Sequence, residues 1–217
     1  MKKFKCLLTA MFLGCSTMSF AQFMNGGGPS ASSSDVDAWK GLRFSYDRTF
    51  VRYDVDGADN ENGNGFTIGY EQAFKVSKKL PIFIQTGLDL NFTRYKDSDE
   101  DWEDKITHLG LSIPANFVYG VKINNVLAIK PYTGFYLRVN LMAKEKEEED
   151  GYSEKWNLFD KDDMGDYTWN RVQGGWQIGT TLDVNEFNVG IGYAIDFNEI
   201  AEKTKASKFM IKLGWNF

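Results

Sequence analysis

Cysteine is nearly absent from this chain of 217 residues, and both copies, Cys6 and Cys15, lie within the first 21 residues. Because residues 22–217 contain no cysteine, that part of the chain cannot form disulfide bonds, thiol-based catalytic sites or thiolate metal sites. Histidine occurs once, as His108, so a site built from several imidazoles is excluded as well. Basic residues are outnumbered by acidic ones, 25 to 30. This balance argues against nucleic acid as a partner, because phosphate binding requires a basic surface.

Long apolar runs are also missing, since no stretch approaches the 18 residues that a membrane-spanning helix needs. Residues 1–21 combine three lysines, a short apolar run and the small-residue pattern Ser19-Phe20-Ala21. This pattern predicts a cleaved secretory signal peptide, and its removal would change the net charge from −5 to −8. One alternative is a lipoprotein signal, in which Cys15 would become a lipidated N-terminus.

The segment that follows, residues 22–38, is rich in Gly and Ser and predicts a flexible periplasmic tail. From residue 39 to residue 217 apolar and polar residues alternate with a period of two, which is typical of β-strands. The alternation predicts eight strands, at 40–53, 66–76, 81–95, 106–122, 126–142, 168–183, 187–197 and 207–217.

The connections between these strands alternate strictly between long and short. The long ones are 54–65, 96–105, 143–167 and 198–206, whereas the short ones have three or four residues. Nothing in the architecture of a soluble sandwich or lipocalin-type barrel requires every long loop to lie at one end. Outer-membrane barrels have this asymmetry, with short periplasmic turns and long external loops. The sequence therefore predicts an all-β protein, an eight-stranded antiparallel up-and-down transmembrane β-barrel in the outer membrane.

The polar face of the predicted strands carries both signs of charge among many glycines, which suits the narrow interior of an eight-stranded barrel. The predicted polar network of the lumen consists of Arg43, Asp47, Glu71, Asp89, Lys130, Arg138, Arg171 and Asp196. Paired charges of this kind argue against an open channel. The last strand ends in Phe217, whose ring is expected to face lipid and to act in recognition by the barrel assembly machinery.

One stretch points to a family. Residues 111–141 read LSIPANFVYGVKINNVLAIKPYTGFYLRVNL, with a strand interrupted by proline, a tight Asn-Asn turn and a strand carrying Pro-Tyr-x-Gly. The stretch resembles the PorT-like outer-membrane β-barrel family of the Bacteroidota, and the resemblance extends over residues 40–217. It implies the barrel fold and a link to protein secretion. In size and loop pattern the chain is also similar to the small OmpX and OmpA barrels.

Three of the long loops, 54–65, 96–105 and 143–167, together carry a charge of −14. Their oxygen ligands leave open either a solvated acidic surface or a Ca²⁺ site, although no EF-hand pattern is present. The longest of these loops also contains apolar residues that a merely solubilising loop does not need, and Tyr152, Trp156 and Phe159 predict an interaction site or packing on the barrel rim.

Catalytic residues are hard to find in this chain. His108 and Ser112 share the inward face, with Glu71 or Asp89 on neighbouring strands, but lipid hydrolases of this architecture need a site that faces lipid. The sequence therefore predicts neither an enzyme nor a cofactor. It predicts a membrane anchor without a pore that displays acidic external loops for interaction or envelope integrity. The alternatives are an accessory subunit of a secretion or envelope-assembly system, a narrow channel or a lipid-modifying enzyme.

Overall fold

The computed structural model describes residues 36–54, 60–77, 80–98, 102–149 and 152–217. The predicted signal peptide, Cys15 and most of the predicted tail lie outside them. Helical structure in the described residues is limited to α1 (Lys161–Met164) and a 3-10 turn (Gly165–Tyr167). None of it has the length and apolar character of a membrane-spanning helix. The strands are β1 (Lys40–Tyr53), β2 (Glu61–Lys75), β3 (Ile82–Ser98), β4 (Trp102–Tyr119), β5 (Val121–Lys122), β6 (Leu127–Glu149), β7 (Tyr152–Asn157), β8 (Val172–Val184), β9 (Phe187–Asp196) and β10 (Thr204–Asn216).

Eight of these strands close into a ring of antiparallel neighbours, in the order β4-β3-β2-β1-β10-β9-β8-β6, with β6 pairing back to β4. The ring closes between the first and last strands, where pairing runs from Gly41 opposite Asn216 to Tyr53 opposite Thr204. Closure leaves no long unpaired edge in the barrel wall. The predicted eight-stranded up-and-down barrel is confirmed.

The two faces of the wall differ sharply in polarity. On β1, Leu42 and Phe44 are exposed on the outside, whereas Arg43 and Asp47 point inward and are buried. The other long strands repeat this arrangement, so large apolar side chains cover the outside of the barrel and polar ones fill its interior. This is the reverse of a soluble domain, and it stabilises a barrel whose outer face contacts lipid.

The ring has two unlike ends. The turn end holds the connections that follow β2, β4 and β8. The loop end holds the connections that follow β1, β3, β7 and β9. Two of the predicted acidic loops, 54–65 and 96–105, are shorter than expected. β2 already begins at Glu61, β3 continues to Ser98 and β4 begins at Trp102. Beyond the lipid both faces of a strand meet water, so these strand ends lack the alternation that marks the rest.

The largest correction concerns the predicted loop 143–167, much of which is β-structure. β6 continues to Glu149, and β7 folds back against it to form a hairpin that stands above the ring. A β-bulge also lies in β6, since Leu109 pairs with Met142 while Gly110 pairs with Asn140. Because a bulge inserts one extra residue, it reverses which side chains of the upper part of β6 face inward.

Inward glycines make space for the tyrosine rings of the lumen. A Cβ atom at Gly179 of β8 or at Gly192 of β9 would overlap the hydroxyl of Tyr132 on β6. Tight space around buried side chains therefore explains the abundance of glycine on the inner face of these strands.

Candidate functional site: the filled lumen and its two ends

The first ion-pair cluster of the lumen joins β1, β2 and β3. Arg43 Nη1 lies 3.0 Å from Glu71 Oε2, and Arg43 Nη2 lies 2.5 Å from Asp89 Oδ2. Gly69 stands between Arg43 and Asp89 in the strand register, and a Cβ atom there would overlap the Asp89 carboxylate. The glycine thus allows one guanidinium to hold two buried carboxylates.

A second cluster surrounds Arg138 on β6. Its Nη2 lies 2.6 Å from Asp196 Oδ2, and it also donates to Gln173 Oε1 at 2.7 Å. Tyr136 donates its hydroxyl hydrogen to Asp196 as well, and Asn140 Nδ2 donates to Gln173 Oε1 at 2.8 Å. The buried charge is therefore surrounded by polar groups that satisfy it.

Two further pairs complete the charged interior. Lys130 Nζ lies 2.5 Å from Asp183 Oδ2, and Lys208 Nζ lies 3.2 Å from Asp47 Oδ2. Asp47 also accepts a hydrogen bond from Thr67 Oγ1 at 2.5 Å. Sequence reasoning missed Lys208, although the even positions of β10 face inward and the alternation could have identified it.

The structure places seven of the eight predicted lumen residues inside the barrel, each in an ion pair with a residue of opposite charge. They are Arg43, Asp47, Glu71, Asp89, Lys130, Arg138 and Asp196. Arg171 requires a correction. It precedes the first residue of β8, is exposed, and its guanidinium carbon lies 4.3 Å from the centre of the Phe159 ring. The alternation gave it the right parity, but the strand begins too late to carry it into the lumen.

Little space is left between these groups. The cavity in the middle of the lumen, lined by Arg43, Asp89 and Arg138 among others, has a volume of about 20 Å³. That is room for about one water molecule. The interior of this barrel is therefore a packed polar core.

The chain just before β1 fills the turn end. Val36 is buried there, and the indole of Trp39 donates to Glu71 Oε1 at 3.2 Å. The Lys130 ammonium lies 3.4 Å from the centre of the Trp39 ring, a cation–π contact. The end of the predicted flexible tail, residues 22–38, is therefore anchored in the barrel, a contact that the Gly- and Ser-rich composition did not indicate.

At the loop end, residues 152–170 fold over the mouth of the barrel and are called the cap below. Leu158 is 1% exposed and packs in a cluster with the barrel residues Val51, Tyr95 and Ile106. The Leu158 amide donates to the carbonyl of Ala143 at 3.1 Å, which ties the cap to β6. The cap is thus a packed structure on the barrel rim and more than the solvated acidic surface that its charge allowed.

The three predicted interaction residues have different environments within the cap. Phe159 is half-buried against the Leu158 cluster and the Arg171 guanidinium, and Trp156 is half-buried on β7. Tyr152 is 81% exposed. Rim packing therefore accounts for Phe159, while Tyr152 is available for contact with another molecule.

Acidic side chains meet where β6 rises above the ring. The bulge turns Glu145 toward the mouth, opposite Ile106, beside Asp104, Glu61 and Glu147. Partial burial, together with the negative charge of these neighbours, raises the pKa of Glu145 from its ordinary value of 4.5 to about 7. The cap residues Leu158, Met164 and Trp169 lie beside Glu145 and contribute to its burial. Between about pH 4.5 and 7, Glu145 therefore holds a proton while the cap is closed and releases it when the cap opens.

The cap is expected to become less stable as the pH rises from about 4.5 to 7. A raised carboxyl pKa means that the folded state binds more protons than the unfolded state, so stability falls as the pH increases through this window. Hydrogen exchange at the amides of Leu158 and Trp169, corrected for intrinsic rates, should show more frequent opening at pH 8 than at pH 5. Glu145→Gln should flatten this dependence, while Glu154→Gln, at an exposed position, should retain it. Equal protection of wild type at both pH values would contradict the assignment.

The possible catalytic pair is not assembled. His108 Nε2 lies 2.8 Å from Asn140 Oδ1, and Ser112 Oγ accepts a hydrogen bond from Asn91 Nδ2 at 2.8 Å. The partner of the histidine is thus an amide, which cannot supply the carboxylate of a triad. No group of three or more His, Cys, Asp or Glu side chains suited to a metal ion occurs within the described ranges.

A closed eight-stranded barrel with an apolar outer surface and an ion-paired interior defines the class of outer-membrane β-barrel proteins. This chain belongs to the family described as outer membrane protein beta-barrel domain, whose model matches residues 59–202. It is therefore a transmembrane protein of the outer membrane.

Solved structures of similar architecture include Ail, the attachment invasion locus protein of Yersinia pestis, with a TM-score of 0.49 at 16% identity over 84% of this chain and 100% of that one. Neisserial surface protein A has a TM-score of 0.47 at 13% identity, with 87% and 100% of the two chains covered. The N-terminal barrel of Pseudomonas aeruginosa OprF has a TM-score of 0.37 at 13% identity, with 83% and 100% covered. No curated protein matches the chain significantly.

Proposed function

We propose that this protein is a closed membrane anchor, neither a pore nor an enzyme, and that it acts through the acidic structure at its loop end. The observation that carries this proposal is the filled lumen, where paired charges leave a cavity of only about 20 Å³. Trp39 obstructs one end of the lumen and Leu158 covers the other. A solute would have to break buried ion pairs to pass, which costs several kcal/mol for each pair.

The proposed orientation places the loop end outside the cell. Outer-membrane barrels expose long connections outward and short turns to the periplasm. Assembly is proposed to use β10, since Phe217 is 55% exposed and its ring centre lies 5.8 Å from that of Trp215 on the outer face of the turn end. The contacts of this aromatic pair with lipid and with the barrel assembly machinery belong to the proposal.

The surface proposed to meet a protein partner is the outer side of the cap. Within the described residues β7 pairs only with β6, so its second edge is open, and Tyr152 stands exposed at the start of this strand. An open strand edge can be extended by a strand of another protein, and an exposed aromatic residue can anchor that contact. These features also suit an accessory subunit of a secretion or envelope-assembly system, to which the PorT-like resemblance of residues 111–141 points.

Protein reconstituted in liposomes is expected to give no swelling with sugars, because the lumen has no continuous path for a solute. Light scattering after mixing with an isotonic sugar solution measures this directly, with an open porin as the positive control. Unboiled and boiled samples should migrate differently on a gel, which verifies that the reconstituted barrel is folded. Swelling at the rate of the porin would refute the anchor and favour a channel.

A further inference from the structure

A cavity of about 210 Å³ lies between the mouth of the barrel and the cap, and is called the cap cavity below. Barrel strands form its wall: Tyr95 stands opposite Ile106 in the strand register, and Ile106 stands opposite Glu145. Leu158 and Met164 of the cap complete the lining. The cavity therefore exists only while the cap is closed on the barrel.

The cap cavity is large enough for a small organic molecule. An apolar cavity of about 150 Å³ holds benzene, so 210 Å³ provides room for a benzene-sized body with a short polar branch. The apolar part of the lining comes from Val51, Ile106, Leu158 and Met164. A ligand that fills this cavity therefore needs an apolar body.

Four aromatic side chains also line the cap cavity. Tyr53 belongs to β1, Tyr95 belongs to β3, and Tyr167 and Trp169 belong to the cap. The faces of aromatic rings attract cations, and pockets built from several rings are a common way to bind quaternary ammonium groups. The rings therefore favour a positively charged ligand over a neutral one of the same shape.

The charged residues of the lining are acidic. They are Glu61 and Glu145, and none of the described residues that line the cavity is basic. Tyr53 donates its hydroxyl hydrogen to Glu61 Oε1 at 2.6 Å, which holds an aromatic ring beside a carboxylate. Arg138, further towards the turn end, is paired with Asp196 at 2.6 Å, so its charge is already compensated. The lining itself thus contributes negative charge only.

The surroundings of Glu145 favour the same kind of ligand. Partial burial and the negative charge of Asp104, Glu61 and Glu147 raise the pKa of its carboxyl group to about 7. A positive group in the cap cavity would offset this repulsion and stabilise the ionised form of Glu145.

We propose that the cap cavity binds a small organic cation, in which an ammonium group is attached to an apolar or aromatic body. The ammonium group lies beside Glu61 and Glu145, and the body contacts Leu158, Met164 and the aromatic rings. Because the cap covers the ligand, release requires the cap to open. This site goes beyond the closed anchor and lies under the cap, whereas the proposed partner surface lies on its outer side. Failure of this test therefore leaves the pore test unaffected, and the reverse also holds.

Three probes with one aromatic body test the charge of the ligand. The amine 2-phenylethylamine is a cation, 2-phenylethanol is neutral and phenylacetate is an anion. Each is titrated at pH 8, where Glu145 is mostly ionised, into full-length protein in lipid nanodiscs. Folding of every protein is verified by heat-modifiable migration.

Hydrogen exchange reports binding at the cap itself. The Leu158 amide donates to Ala143 at 3.1 Å and the Trp169 amide donates to Leu158 at 2.7 Å, so both exchange when the cap opens. A probe that binds only under the closed cap divides the opening equilibrium by one plus the ratio of its concentration to its Kd. The dependence of exchange on probe concentration therefore gives the affinity.

The cationic probe is expected to bind about tenfold more tightly than 2-phenylethanol, because its ammonium group adds cation–π and ion-pair contacts. Phenylacetate should bind more weakly than either. The variant Glu61→Gln/Glu145→Gln should lose the preference for the cation and keep its affinity for 2-phenylethanol, which shows that its cavity is intact. The control Glu154→Gln/Glu186→Gln removes two charges from exposed positions outside the cavity and should bind all probes as wild type does.

The aromatic contribution has its own variant. Tyr167 is 65% exposed, so Tyr167→Leu should leave the barrel folded while it weakens the cationic probe about threefold and the neutral probe little.

Absence of protection by 2-phenylethylamine at millimolar concentration would overturn the ligand site. Equal affinity for the cation and the neutral alcohol in wild type, or an unchanged preference in the Glu61→Gln/Glu145→Gln variant, would overturn recognition of the positive charge.

Discussion

Replacing Arg43 with methionine is expected to destabilise the barrel by about 3–5 kcal/mol, because it leaves buried carboxylates without their cation. Glu71 and Asp89 both depend on this guanidinium, at 3.0 Å and 2.5 Å, and both side chains are at most 10% exposed. Urea unfolding in lipid vesicles, followed by tryptophan fluorescence, measures the free energy directly.

Two variants make this experiment specific. Arg52→Met removes the same charge from an exposed position and should change stability by no more than about 0.5 kcal/mol. Adding Glu71→Gln and Asp89→Asn to Arg43→Met should restore most of the loss, because the remaining amides carry no charge. A loss below about 1 kcal/mol for Arg43→Met would show that the lumen is hydrated and the ion pair weak.

Replacing Leu158 with aspartate is expected to release the cap while the barrel stays folded. Leu158 is 1% exposed among apolar side chains, and a charge placed there costs several kcal/mol unless the cap opens. If the free energy of cap opening falls by about 3 kcal/mol, cleavage by trypsin at Lys155 and Lys161 should accelerate about 100-fold. Mass spectrometry of the fragments and migration of the unboiled barrel on a gel report the two effects separately.

The matched control for the cap is Tyr152→Asp. Tyr152 is 81% exposed, so a charge at this position should leave the cleavage rate unchanged. Both variants should weaken cross-linking to a protein partner if the cap is the docking surface, one by unfolding it and the other by removing the exposed aromatic residue. Slow cleavage of Leu158→Asp would mean that the cap is held by contacts other than this cluster.

The alternation of apolar and polar residues was sufficient to predict the barrel wall, because lipid contacts one face of every strand and side chains fill the other. All eight predicted strands occur, and their turn-end boundaries agree with the structure within a few residues. The same period assigned Arg43, Glu71 and Asp89 to one interior. It could not tell which charges pair, since pairing depends on strand register.

The strands of the loop end could not be predicted from the alternation, for a related reason. Above the lipid both faces of a strand meet water, so β7 and the upper part of β6 carry charges on both faces and read as a loop. Composition likewise gave no sign that Trp39 enters the turn end, since one apolar residue beside a polar tail has no period.

By itself, the sequence determined the class of fold, the number of strands, the membrane that houses them and the polar character of the lumen, because each follows from contact of alternate side chains with lipid. Only the tertiary structure decided the pairing of Lys208 with Asp47, the exclusion of Arg171 from the lumen and the packing of Leu158 of the cap onto the barrel. It also decided the inward direction of Glu145, which depends on one extra residue in β6. A bulge shifts every later side chain of the strand to the other face without changing the composition. It is recognised only from the pairing with the neighbouring strand, which exists only in the folded barrel.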